Sequence, residues 1–100
     1  MDMYHSDYEK VAASQTAQIL GPTGHVGDIL ERIIVTVATA ATSTVSIIDG
    51  DGTAISIVPA VTPVCIYSIA IGARCVNATT PGWKITTGAG ASVVAIGRFT

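Results

Sequence analysis

An all-β fold, an antiparallel β-sandwich of about seven strands, is predicted by three features of this 100-residue chain. Short runs rich in Val, Ile and Thr recur along it. Turn residues separate those runs at close intervals. After residue 15 no stretch repeats its apolar residues at the helical period. Strands joined by such short connections pair antiparallel, because a parallel crossover needs about a dozen residues or more. Jelly-roll and immunoglobulin-like arrangements both satisfy the pattern. A chain this long makes one domain with one modest core.

The elements follow in order. Residues 1–14 open with MDMYHSDYEK and read as a polar N-terminal arm, a helical turn or an extended segment resting on another chain. Removing that arm should leave the β-domain of residues 15–100 folded. A first strand is expected over 16–20. The segment 21–27, GPTGHVG, places glycine at every third position and reads as a flexible loop. It lacks the Gly-Lys-Ser/Thr ending of a phosphate loop and the many repeats of collagen. Residues 30–37 are β-branched and alternate, with Ile33, Val35 and Val37 on one face. Val45-Ser46-Ile47 enters a turn and residues 54–58 leave it, with Pro59 ending the pairing. Residues 65–71 form a longer strand with Cys65, Tyr67, Ile69 and Ile71 in register. Residues 83–87 follow a Pro81-Gly82 turn, and Gly88-Ala89-Gly90 returns the chain into a last strand from Ser92 towards Phe99.

Composition narrows the function classes. Apolar residues make up 49% of the chain and charged residues only 12%, about half the usual share. Seven of the twelve charges fall within residues 1–32, which leaves a weakly charged β body. A β-rich protein with so little charge has few devices to keep it apart from neighbours, so much of its exterior is expected to be covered by other subunits. The net charge of −2 offers no basic footprint for nucleic acid. No apolar run is long enough to cross a bilayer as a helix. The acidic opening predicts no secretory signal, and hence synthesis in a cytosol.

No reactive constellation emerges. Asp49-Gly50-Asp51-Gly52 superficially suggests a calcium loop, but the twelfth position counted from Asp49 is Ala60 where a bidentate Glu is required. Asp-Gly between two alternating apolar runs predicts a hairpin turn instead. Cys65 and Cys75 are ten residues apart in sequence, about 33 Å along one extended strand. Two small buried thiols are therefore expected rather than a disulfide. No CxxC pattern marks zinc, no G-x-S-x-G elbow marks a hydrolase, and nothing gathers His5 and His25 with Asp2, Asp7 and Asp28 into a metal site. No enzyme activity, cofactor or metal is expected. Four residues remain as partner contacts. Tyr4 and Tyr8 suit an arm that lays two rings on a neighbouring subunit, and His25 sits in the glycine-rich loop. Trp83 reads as a core or interface anchor more readily than as a ligand-stacking ring.

The stretches IIVTVATAATSTVSIIDGDGTAISIVPA and GWKITTGAGASVVAIGRFT give the chain a resemblance over residues 15–100 to small virion proteins of tailed bacteriophages, most like capsid decoration or cement proteins. The resemblance lies in the Ala/Thr/Val body, the DG-x-G hairpin and the closing Gly-Trp-Lys-x-Thr-Thr-Gly-Ala-Gly segment. It implies a homo-oligomer, a trimer by preference, that sits on the outer capsid against the major capsid protein and has no catalytic residues. A tail, neck or fibre β-domain that binds another virion protein or a host receptor is the alternative. Copy number per particle separates the two.

Overall fold

In a computed structural model, which describes residues 7–39, 44–60 and 63–100, the chain is all-β, with no helix among the described residues. Among the described residues eight strands run in chain order: β1 (Asp7–Val11), β2 (Gln18–Ile19), β3 (Ile29–Val37), β4 (Val45–Asp49), β5 (Ile55–Val58), β6 (Cys65–Arg74), β7 (Trp83–Thr86) and β8 (Ala91–Arg98). Sheet A has the order β1-β8-β3-β6 and sheet B the order β2-β7-β4-β5, and every pairing is antiparallel. The pairings nest: first strand with last, second with seventh, third with sixth, fourth with fifth.

Strand composition explains the layering. Along β8 the burial alternates, with Ala91, Val93 and Ala95 inside. Val45 and Ile47 of β4 and Trp83 and Ile85 of β7 point inward from the other sheet. These side chains form one core cluster with Leu30, Ile33, Val35 and Val37 of β3, so the two sheets share a sandwich-like interior. Small and β-branched side chains suit a pleated interior filled from both faces.

A register slip shapes β3. Between Leu30 and Arg32 the strand advances two residues while β8 moves one, Gly97 to Ile96, and β6 moves three, Ala73 to Ala70. The extra residue re-phases the alternation, which lets both Leu30 and Ile33 reach the core although three positions separate them. Gly97 is required at this slip because an added Cβ would collide with the Ile29 carbonyl oxygen.

Two expectations change. Residues 7–11, assigned to the arm, form β1 at the edge of sheet A, paired with β8 from Asp7↔Gly97 to Val11↔Val93. Val11 is fully buried, so removing residues 1–14 would delete a strand and open the core. Val11 is the only aliphatic residue of β1, and the half-buried position before it on the same face is Glu9, so the segment shows no apolar alternation and reads as a polar arm. Residues 1–6, with Tyr4 and His5, lie outside the described residues. The second change concerns the thiols. Both are free, and Cys75 is buried as expected, but Cys65 is exposed because it opens β6, an edge strand. No helix among the described residues is long and apolar enough to cross a membrane.

Candidate functional site

The outer face of sheet A is the most distinctive surface. Cross-strand register places Tyr8, Ile96, Arg32 and Ala70 in one row across β1, β8, β3 and β6, and Lys10, Val94, Ile34 and Ser68 in the next. Ser92, Thr36 and Ile66 form a third. Directly opposite residues in antiparallel strands lie on the same face. Tyr8, Ile96, Val94 and Ile34 therefore make a contiguous apolar patch, with Lys10 and Arg32 beside it. Tyr8 is 69% exposed and Ile66 66%. The Arg32 guanidinium donates to Ser68 Oγ at 2.7 Å, which links it across to β6.

The two central strands thus carry apolar residues on both sides. A sheet with one solvated face alternates strictly, whereas strands covered on both faces read as continuous apolar runs. Ile33-Ile34-Val35 and Val93-Val94-Ala95-Ile96 are such runs. Alternation draws attention to Ile33 and Val35 and leaves Ile34 unremarked, yet the unbroken run was the signal that both faces carry apolar side chains.

Beside this face, at the β1–β2 end, lies an open cleft of about 410 Å³ lined by Lys10, Gln15, Gln18, Ser92 and Val94 among others. Its polar groups are one ammonium, two amides and a hydroxyl, and Gln18 Nε2 is already committed to the Lys10 carbonyl at 3.1 Å and Glu9 Oε2 at 2.9 Å. Among the described residues the lining brings no carboxylate, imidazole or thiol to Ser92 or Lys10. Such a cleft can hold a side chain of a partner, and its described groups are not paired as acid–base or nucleophilic chemistry requires.

The remaining site expectations separate. His25 is exposed in the β2–β3 loop, where its Nδ1 lies 2.6 Å from the Val26 carbonyl oxygen. It is on a different element from Tyr8. Trp83 is 4% exposed in the core, and its indole N–H donates to the Asp28 carbonyl at 3.2 Å. Of the two roles open to it, Trp83 takes that of core anchor, and the partner contact expected of it is corrected by this burial.

Two carboxylate knots hold the loops. The Asp28 carboxylate, buried between the β2–β3 loop and the chain end, accepts the His25 N–H at 3.0 Å, the Thr100 N–H at 3.1 Å and the Thr100 hydroxyl at 2.8 Å. Asp49 belongs to the hairpin turn that the sequence suggests: the Gly52 N–H donates to the Asp49 carbonyl at 3.0 Å and Gly50 adopts φ +64°. Its carboxylate accepts the Cys75 thiol at 3.0 Å and the Val76 and Asn77 N–H groups at 3.1 and 3.2 Å. Burial pushes the Asp49 carboxyl up, but these hydrogen bonds and the Lys84 charge outweigh it and leave it below the ordinary range. Burial, reinforced by Asp49, pushes the Cys75 thiol up, so the sulfur stays protonated as the donor in that pair. The Asn77 amide, donating at 2.6 Å, and the Thr80 side chain lower Asp51. The two aspartates thus knot the β4–β5 turn to the β6–β7 loop. Among the described residues no group of three or more His, Cys, Asp or Glu side chains is placed to hold a metal.

The chain matches no family model, and neither a curated protein nor a solved structure matches it.

Proposed function

We propose that this chain is a structural protein of a tailed-bacteriophage virion, a jelly-roll subunit that sits on the outside of the capsid and stabilises the shell by contacts spread over several coat subunits. The nested pairing of eight strands in two four-stranded sheets favours jelly-roll connectivity over an immunoglobulin-like sandwich of seven. The observation that carries the functional reading is the outer face of sheet A, where Tyr8, Ile96, Val94 and Ile34 adjoin in a region with little charge. Tyr8 is exposed and Ile96, Val94 and Ile34 are half-buried beside it; apolar side chains grouped on an outer face with polar residues around them suit a protein-binding surface. Lys10 and Arg32 at its border can pair with carboxylates on the partner. Stabilisation is mechanical. Each copy adds modest contact energy between neighbouring coat subunits, and many copies multiply it.

Particle biochemistry tests this. The protein should be present in purified virions at on the order of hundreds of copies, and it should rebind to shells stripped of it. Val94→Lys, which sets a second ammonium beside Lys10 on the patch, should weaken rebinding at least about tenfold while the circular dichroism spectrum stays that of the parent. About a dozen copies or fewer would move the protein to the tail, neck or fibre. Failure to bind shells at all would overturn the reading.

A further inference from the structure

We propose that β6 pairs edge to edge with β6 of a second copy of this chain, joining two A sheets into one eight-stranded sheet about a two-fold axis. The four outer strands of the two sheets differ sharply in how they resist such pairing. β1 carries Asp7, Glu9 and Lys10. β2 is two residues long. β5 is four residues long, is bulged against β4 where Val45↔Val58 gives way to Ser46↔Ser56, and ends at Pro59. Charge, shortness, bulges and proline are the devices by which natural sheets blunt an edge. β6 is ten residues long, and its one charge, Arg74, is its last residue. Its slip against β3 lies between Ala70 and Ala73, which leaves residues 65–70 regular. Among the described residues no strand occupies its outer edge.

The side chains of this flank are also left uncovered. Ile66 on the outer face is 66% exposed and Val64, just before the strand, 61%. On the inner face Tyr67, Ile69 and Ile71 pack against the core yet remain only half-buried. Ile55 of β5, opposite Ile47 in register, is 50% exposed because β5 is likewise the last strand of its sheet. An open row of backbone donors and acceptors takes a strand as its partner, and β6 suits its own copy. Antiparallel pairing about a two-fold at Ser68 sets Ile66 opposite Ala70 and Tyr67 opposite Ile69, same face to same face. It keeps the two Arg74 side chains at opposite ends of the ladder, so no like charges meet.

Size sets the strength. The regular stretch is about 20 Å long at about 3.3 Å per residue, and the smallest dimension of the molecule is 19 Å. The flank is then at most on the order of 400 Å² per copy, about half the area that each partner buries in a standard specific interface. The dimer is accordingly weak when alone and strengthened where copies are held together. A two-fold gives even-numbered assemblies, unlike the trimer implied by the phage resemblance. The inference extends the assembly role proposed above but stands on the edge itself, so it is measured without any particle.

Sedimentation velocity of the purified full chain from roughly ten to several hundred micromolar tests it. The wild type should shift from monomer towards dimer across that range. Ile66→Lys, which places a charge on each edge, should remain monomeric with an unchanged circular dichroism spectrum. Val26→Lys, which removes an exposed apolar side chain from the β2–β3 loop, should dimerise as the wild type does. A wild type that stays monomeric, a dimer that survives Ile66→Lys, or a trimer insensitive to it would each overturn the proposal. Should Ile66→Lys lose its fold, cross-linking of Ser68→Cys in a Cys65→Ser chain decides instead: an oxidised dimer supports β6 pairing and none refutes it.

Discussion

Replacing Asp28 should separate the value of its charge from the value of its hydrogen bonds. The carboxylate is 5% exposed and accepts three donors, two backbone N–H groups and a hydroxyl. In Asp28→Ala all three lose their acceptor. Hydrogen bonds to a charged group contribute about 1.5–3 kcal/mol each, but Thr100 is exposed and its donors can turn to water. The His25 N–H, held in the turn where Asp28 N–H donates to the His25 carbonyl at 3.1 Å, has less freedom. A total of about 3 kcal/mol is therefore expected. Asp28→Asn behaves differently. Its amide oxygen can accept both N–H donors, and its amide nitrogen can donate to the Thr100 hydroxyl, which rotates to accept. Only charge assistance is lost, about 1 kcal/mol. For a domain of this size each kcal/mol lowers Tm by about 4–8 °C, so the alanine variant should melt on the order of 15 °C lower and the asparagine variant about 5 °C lower. Urea unfolding at neutral pH, with both variants showing the wild-type slope, gives the two values. Equal losses for Asn and Ala would refute the geometric argument, and no loss for Ala would refute the knot itself.

Two further outcomes follow from the β4–β5 turn. Gly50→Val should cost about 3 kcal/mol or more, since Gly50 sits at φ +64° and a Cβ there would collide with the Thr80 carbonyl oxygen and lie 2.6 Å from Asn77 Cγ. Gly52→Val should cost about 1 kcal/mol, because Gly52 is outside the left-handed region and its nearest neighbour, the Asp49 carbonyl oxygen, is 3.1 Å away; thermal melts of the two variants compare them. Acid should also weaken the fold through Asp49. Its folded carboxyl holds a proton less tightly than the unfolded one, so its contribution is complete above the ordinary aspartate range and is lost as the pH falls through that range to the lower folded value. Asp49→Asn should flatten this part of the acid limb in urea midpoints followed from neutral to strongly acidic pH, and an unchanged acid limb would show that the Cys75–Val76–Asn77 cradle does not act on the charge.

Much of the architecture is legible in the chain because its cues are local. Period-two patterning marks β4, β7 and β8, the β-branched run marks β3, and Asp49-Gly50 marks the turn. These are choices each segment makes within a few residues. The candidate surface is only half legible. Tyr8 stands out as an exposed ring, but Ile34, Val94 and Ile96 join it through pairings such as Ile34↔Val94, separated by 60 positions and invisible to any local pattern. The place of Trp83 was likewise settled by the Asp28 carbonyl it reaches, 55 residues away.

By itself the sequence determined the all-β class, the low charge and the turn chemistry. Each of these is a property of residue type and near-neighbour sterics. Only the tertiary structure decided that residues 7–11 are a strand, which strands share a sheet, and that β6 is the last strand of sheet A among the described residues. A polar segment such as DYEKV gains strand structure when β8 offers it a free ladder from Asp7↔Gly97 to Val11↔Val93, and that offer exists only once the nested pairing has closed. Edge or centre is a matter of neighbours in space, and hydrophobic burial, which is non-directional, assigns those neighbours by the one arrangement that covers both inner faces at once.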